Sequence, residues 1–307
     1  MHIPVRNIEP GQRRLLLLLV TSLMALVGCQ TPPVVPVPTP APTVAAPTPK
    51  PPRIGLALGG GAARGFAHIG VIQVLEEAGI RPDLVVGTSA GSLVAALYAA
   101  GLDGTRLGEA AASMDETTLA DWAFPGRALI RGDALARYVR RVTGGRPIEA
   151  MSKPLGIVAT DLDSGAGILF QRGDTGLAVR ASSAVPAVFQ PVRIGEREYV
   201  DGGLVAPVPV SFARRMGAEV VIAVDISEAP EGQATGDAVR LLLQTFSIMS
   251  RSINRFELRD ADVVLRPALS GVAGTDFGAR NRAIQAGREA AQRALPALRE
   301  AIFAKTL

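Results

Sequence analysis

At 307 residues the chain could hold two domains, but α/β folds of this size often close as one, and a single folded unit is expected. Its net charge of +4 comes with dispersed arginines rather than a basic stripe interleaved with aromatics, so nucleic-acid binding gets no support. A single cysteine excludes an intramolecular disulfide, and with two histidines and no Cys/His cluster a metal site would have to be all carboxylate, which nothing in the sequence suggests, so neither metal nor cofactor is expected.

In chain order, Arg13 and Arg14 precede the largely apolar run Leu15 to Leu26, and small residues follow, which reads as a secretory signal over residues 1–28. The run falls short of the roughly 20 apolar residues that span a bilayer, so cleavage is expected. Leu26-Val27-Gly28-Cys29 resembles a bacterial lipobox, which implies that Cys29, the sole cysteine, becomes the diacylated N-terminus and ties the protein to a membrane. Gln30 stands where an aspartate would favour inner-membrane retention, so the outer membrane of a Gram-negative cell is the expected location. Residues 29–52 then form a linker. Its proline-rich part, TPPVVPVPTPAPTVAAPTPKPP, favours extended polyproline II at about 3.1 Å per residue, a semi-rigid spacer more than a ligand for a proline-binding module.

From Arg53 to the end, residues 53–307, short β-branched runs alternate with longer alanine- and leucine-rich stretches, the pattern of a mainly parallel sheet with helices on both faces. Ile54 to Leu58 and Leu84 to Val86 read as strands, and Gly65 to Ala78 and Ser92 to Ala100 as helices. Leu107 to Val142 reads as mostly helical with a break at Phe124 to Arg127; Trp122 and Phe124 there suit core packing or an interfacial lid. Strands are expected at Leu155 to Thr160 and Gly167 to Gln171, a short helix at Gly176 to Ser182 and a hairpin over Val192 to Val200. Val208 to Met216 reads as helix and Glu219 to Asp225 as strand. After a polar loop at Glu228 to Thr235 come a helix from Val239 to Leu258, a strand at Val263 to Arg266 and a closing helix from Arg280 to Ala304.

Gly87-Thr88-Ser89-Ala90-Gly91 lies between a strand and a helix, the context in which G-x-S-x-G forms a sharp elbow presenting its serine at a helix N-terminus. A second glycine-rich loop, Gly59-Gly60-Gly61-Ala62-Ala63-Arg64-Gly65, follows the first strand and would lie on the same sheet edge. The amides of Gly60 and Gly61 could point at one anionic oxygen, and Arg64 could brace the loop or meet a phosphate. A dinucleotide site is the competing reading, but the spacing is G-x-G-x-x-x-G and leaves the elbow unexplained. No histidine follows Ser89: His2 leaves with the signal, and His68 sits one turn into a helix, where capping or packing suits it. A Ser-His-Asp triad is therefore excluded. Asp201-Gly202-Gly203 ends a hairpin strand; the aspartate could approach another loop closely, or the dipeptide could be a plain turn.

Taken in order, LALGGGAARGFAHIGVIQVLEEAGI, VVGTSAGSLVAALYAAG, RASSAVPAVFQPV and YVDGGLVAPVPV resemble the patatin-like phospholipases, especially bacterial members with a GGGAARG loop. The resemblance covers most of Arg53 to Asp225. It implies a three-layer α/β/α fold with a mainly parallel central sheet, and a Ser-Asp dyad of nucleophile Ser89 and proton acceptor Asp201. It also implies an oxyanion hole drawn from Gly59, Gly60, Gly61 and Ala62, with Arg64, Gly65, Gly87, Gly91, Gly202 and Gly203 supporting the motifs. The implied substrate is a lipid ester. Asp161 in ATDLDSG also matches a family position and reads as a loop or strand-end residue. A membrane-tethered binding or scaffold protein with little turnover is the alternative of another class.

Overall fold

The computed structural model describes residues 50–114, 121, 128–227 and 236–306. The signal, Cys29 and nearly all of the linker lie outside the described residues, as do Trp122 and Phe124 and the polar loop over 228–235.

Eight strands form one mixed sheet: β1 Ile54–Leu58, β2 Leu84–Thr88, β3 Leu155–Asp161, β4 Gly167–Phe170, β5 Val192–Ile194, β6 Arg197–Asp201, β7 Val220–Val224 and β8 Val263–Leu265. The order is β5-β6-β3-β2-β1-β7-β8, with β4 also on β3. Strands β3, β2, β1, β7 and β8 run parallel, while β4 and β6 pair antiparallel with β3. Every residue of β1, β2 and β7 is buried, as expected of parallel strands covered on both faces.

One detail of register sets the site. Strand β2 pairs with the first half of β3, ending at Thr88 opposite Val158, and β6 pairs with its last residues, beginning with Asp201 opposite Ala159. Strand β4 takes the other side of β3, because Ile157 and Val158 pair with both β2 and β4 while Ala159 and Thr160 pair with both β4 and β6. Strands β2 and β6 therefore lie end to end along the same side of β3. The residue after Thr88 and the last residue of β6 arrive at one point from opposite directions.

Helices α1 Phe66–Glu77, α2 Ala90–Ala99, α3 Gly104–Ala112, α4 Asp133–Val142, α5 Thr175–Ser182, α6 Val210–Arg215, α7 Ala238–Glu257 and α8 Arg280–Ala304 complete the three layers. Leu56, Leu58, Val85, Ile157 and Ile222 point into a core shared with α1, α2 and α8. The alternate residues Ala57, Val86, Val158, Val221 and Ala223 pack against α6 and its flanks. Helix α8 crosses α1 closely enough that a Cβ on Gly70 would fall 1.9 Å from the Ile284 carbonyl oxygen.

The expected elements are present within a few residues of their expected ends. The main departure lies between Leu107 and Val142. There α3 begins earlier, at Gly104, because Asp103 caps it by accepting from the Arg106 amide at 2.9 Å, and Ile130 pairs with Phe189 in an isolated bridge.

Candidate active site

Ser89 sits between β2 and α2 with φ 52° and ψ −124°, a backbone conformation that a non-glycine residue holds only at a cost of about 1–3 kcal/mol. The surroundings over-determine it. Its carbonyl accepts from the Ser92 amide (2.8 Å) and the Ser92 hydroxyl (2.6 Å), while its amide donates to the Ser182 hydroxyl (2.9 Å), which in turn donates to the Val158 carbonyl (2.5 Å). Close approach also demands glycine: a Cβ at Gly91 would lie 2.1 Å from the Leu58 carbonyl oxygen, and one at Gly60 would lie 3.1 Å from Ser89 Cβ. The elbow and the glycine loop thus meet at the C-terminal ends of β1 and β2, with the Ser89 residue half-buried.

Asp201 reaches the same point as the last residue of β6. Its amide donates to the Ala184 carbonyl (2.9 Å) and its carbonyl accepts from Thr160 Oγ1 (2.8 Å), which fixes the backbone. Its side chain is buried; Oδ1 accepts from the Gly203 amide at 2.7 Å. Oδ2 has no hydrogen-bond partner among the described residues. Burial pushes the Asp201 carboxyl up to about 6, against the opposing pull of Ser89 and the Gly203 amide.

The amides of the glycine loop differ in what they bond to. The Gly59 amide donates to the Val224 carbonyl (3.1 Å) and the Gly60 amide to the Pro207 carbonyl (2.9 Å), so both amides are engaged by backbone carbonyls in this arrangement. Among the described residues, the Gly61 and Ala62 amides have no such acceptor, and Ala62 has a positive φ of 49°. Arg64 is buried in the protein body, which suits bracing of the loop.

His68 and Ser182 are the two residues whose positions at the site composition alone did not reveal. His68 is fully buried, with Nε2 donating to the Gly59 carbonyl at 2.8 Å; burial lowers its pKa to about 4, so it supports the loop as a neutral imidazole. Ser182 lies within RASSAVPAVFQPV, but only tertiary structure ties it to Ser89. Asp161, in contrast, has its carboxylate engaged by its own turn and by Arg197. It receives the Asp163 and Ser164 amides and pairs with Arg197 at 2.5 Å, and that pairing holds its carboxyl down to about 2.

A cleft of about 960 Å³ lies at the opposite, N-terminal ends of the central strands, lined among others by Arg53, Asp83, Arg299 and Phe303, and neither Ser89 nor Asp201 lines it. Among the described residues no group of three or more His, Cys, Asp or Glu side chains is placed to hold a metal ion.

Comparison with known proteins agrees with this architecture. The family described as patatin-like phospholipase matches residues 56–214. An uncharacterized NTE family protein of Mycobacterium tuberculosis is 36% identical over 207 residues, covering 66% of this chain and 56% of its own. A second from that organism is 32% identical over 274 residues, covering 80% and 46%. Mouse patatin-like phospholipase domain-containing protein 6 is 38% identical over 186 residues, covering 58% of this chain and 14% of its own. The chain thus spans about half the length of the mycobacterial relatives and less of the mouse one. Among solved structures, VipD from Legionella pneumophila shares the fold at a TM-score of 0.54 and 15% identity, covering 81% of this chain and 67% of that one. With its strained serine elbow, the glycine loop beside it and a family match across more than half its length, the chain belongs to the patatin-like phospholipase family.

Proposed function

We propose that the domain is a serine acyl hydrolase acting on lipid esters, with Ser89 as nucleophile and Asp201 as its base. The observation that carries this is the end-to-end arrangement of β2 and β6 on β3, which supports a direct approach of the Ser89 hydroxyl to a buried carboxylate of raised pKa. As Ser89 Oγ attacks the ester carbonyl, Asp201 takes its proton. The tetrahedral oxyanion is held by the uncommitted amides of Gly61 and Ala62. Collapse expels the alcohol, which recovers the proton from Asp201, and leaves an acyl-serine. Water, deprotonated by the same carboxylate, then releases the fatty acid and restores Ser89.

The family supports a phospholipid or lysophospholipid as substrate. Incubating the purified protein with defined phospholipid and lysophospholipid vesicles and analysing the products is the direct test. Release of free fatty acid that disappears in Ser89→Ala is the expected result, whereas a folded protein that releases none, or an equally active Ser89→Ala, would sink the assignment.

The tether belongs to the same reading. With Cys29 diacylated, the linker tethers the domain within on the order of tens of Å of an outer-membrane lipid surface. Cys29→Ser is expected to move the protein from the membrane to the soluble fraction; unchanged fractionation would refute lipidation as the anchor.

A further inference from the structure

Helix α7 has an outer face with no partner among the described residues. Of its twenty residues only Ser250 and Asn254 are buried. Leu241, Ile248 and Phe256 are 55%, 51% and 66% exposed, and Leu242 and Met249 are exposed as well. The spacing is regular: Leu241 and Ile248 are seven apart, as are Leu242, Met249 and Phe256, so the five form one stripe along the helix. Isolated exposed apolar residues are ordinary, but a continuous stripe of this length marks a contact surface.

Two observations say what it contacts. Along one flank of the stripe, Arg251, Arg255 and Arg259 line a cleft of about 400 Å³ shared with Arg266, Asn254 and Asp225. Arg266 pairs with Asp225 at 3.4 Å and Arg259 lies 5.0 Å over the Phe256 ring. Arg251 and Arg255 have no carboxylate within ion-pair distance among the described residues. An apolar stripe edged by arginines is the composition of a helix that lies in a lipid interface. The inner face of α7 also seats on the turn after Asp201: Ser250 Oγ donates to the Gly203 carbonyl at 3.3 Å, and Phe246 packs so closely that a Cβ on Gly203 would lie 2.8 Å from its ring. A surface docked on α7 is thereby brought up to the turn that carries Asp201.

We infer that α7 is the helix by which the domain docks onto an anionic lipid surface, its stripe entering the acyl boundary and its arginines meeting headgroup phosphates. This rests on the lipid-ester reading for its purpose, but the docking is measured without turnover. The experiment uses the chain from position 29 onward, carrying Cys29→Ser so that no acyl anchor contributes and Ser89→Ala so that the lipid stays intact. Its co-sedimentation is read with phosphatidylcholine vesicles and with vesicles that also contain phosphatidylglycerol. Replacing Leu241, Ile248 and Phe256 together by serine lowers partitioning about 30-fold or more on both vesicles. Replacing Arg251, Arg255 and Arg259 together by glutamine lowers it about 30-fold on the anionic vesicles alone. Phe303→Ser, on α8 and 80% exposed, changes neither. Circular dichroism on each variant verifies the fold. A parent protein that ignores both vesicles, or α7 variants that bind as the parent does, would overturn the proposal. So would a dimer that falls to monomer in the serine variant while vesicle binding persists, which would assign the stripe to a second copy of the chain. If α7 docks as stated but no ester is cleaved in the product analysis, the hydrolase reading fails and the docking surface stands.

Discussion

Asp201→Asn is expected to lower kcat for ester hydrolysis by about 10²- to 10⁴-fold, the range for loss of a general base, and at the same time to make the folded protein more stable at neutral pH. Both effects have one cause. The carboxyl titrates at about 6 in the folded chain, chiefly because burial disfavours its charge, and near 3.9 in an unfolded one. Between those values the folded state keeps a proton that the unfolded state has lost, so stability falls as pH rises through the window and the full deficit is present above it. Asparagine fills the same space without the charge. Its side-chain oxygen still accepts from the Gly203 amide, and its amide group takes the place of the unpartnered Oδ2. Chemical denaturation at pH 7.5 is expected to show a gain on the order of 2 kcal/mol that vanishes below about pH 4. A variant that is less stable at pH 7.5, or one that keeps its activity, would contradict this account of Asp201.

The pH profile of the parent enzyme is the second large effect. With Asp201 as the proposed base, only its ionised form can accept the Ser89 proton, so kcat/KM for a soluble ester is expected to rise tenfold per unit at acid pH and level off above about 6. Between pH 7.5 and 4.5 activity falls about 30-fold. His68 contributes no limb in the upper part of this range, since burial lowers it to about 4 and it serves the Gly59 carbonyl as a neutral donor. A carboxylate of ordinary pKa would leave activity flat down to about pH 4, and that flat profile is the result that would count against a buried base.

Ser89 was legible in the sequence because its requirements are local: a buried apolar strand, flanking glycines and a helix of small residues all lie within a few positions of it. The central strands were legible for a similar reason, since burial on both faces writes them as uninterrupted apolar runs. Asp201 was not legible to the same degree. Asp-Gly-Gly fits a turn equally well, and what brings it towards Ser89 is the register by which β6 continues the line of β2 along β3, an alignment set by two separate pairings with a third strand. The use of the glycine loop was hidden for the same kind of reason. Which amides remain for an anion depends on Val224 and Pro207, whose carbonyls take Gly59 and Gly60 and leave Gly61 and Ala62. The periodicity of α7 announced a helix, but whether its outer stripe is covered is a property of the packed molecule.

The most direct test of the Ser89–Asp201 pairing is the rate at which a fluorophosphonate forms a covalent adduct, with the modified residue located by peptide mass spectrometry. The account predicts a single adduct on Ser89 that forms at least about 10²-fold more slowly in Asp201→Asn, as expected for loss of a general base. An adduct on another residue, or labelling of Ser89 at the same rate in both proteins, would contradict it.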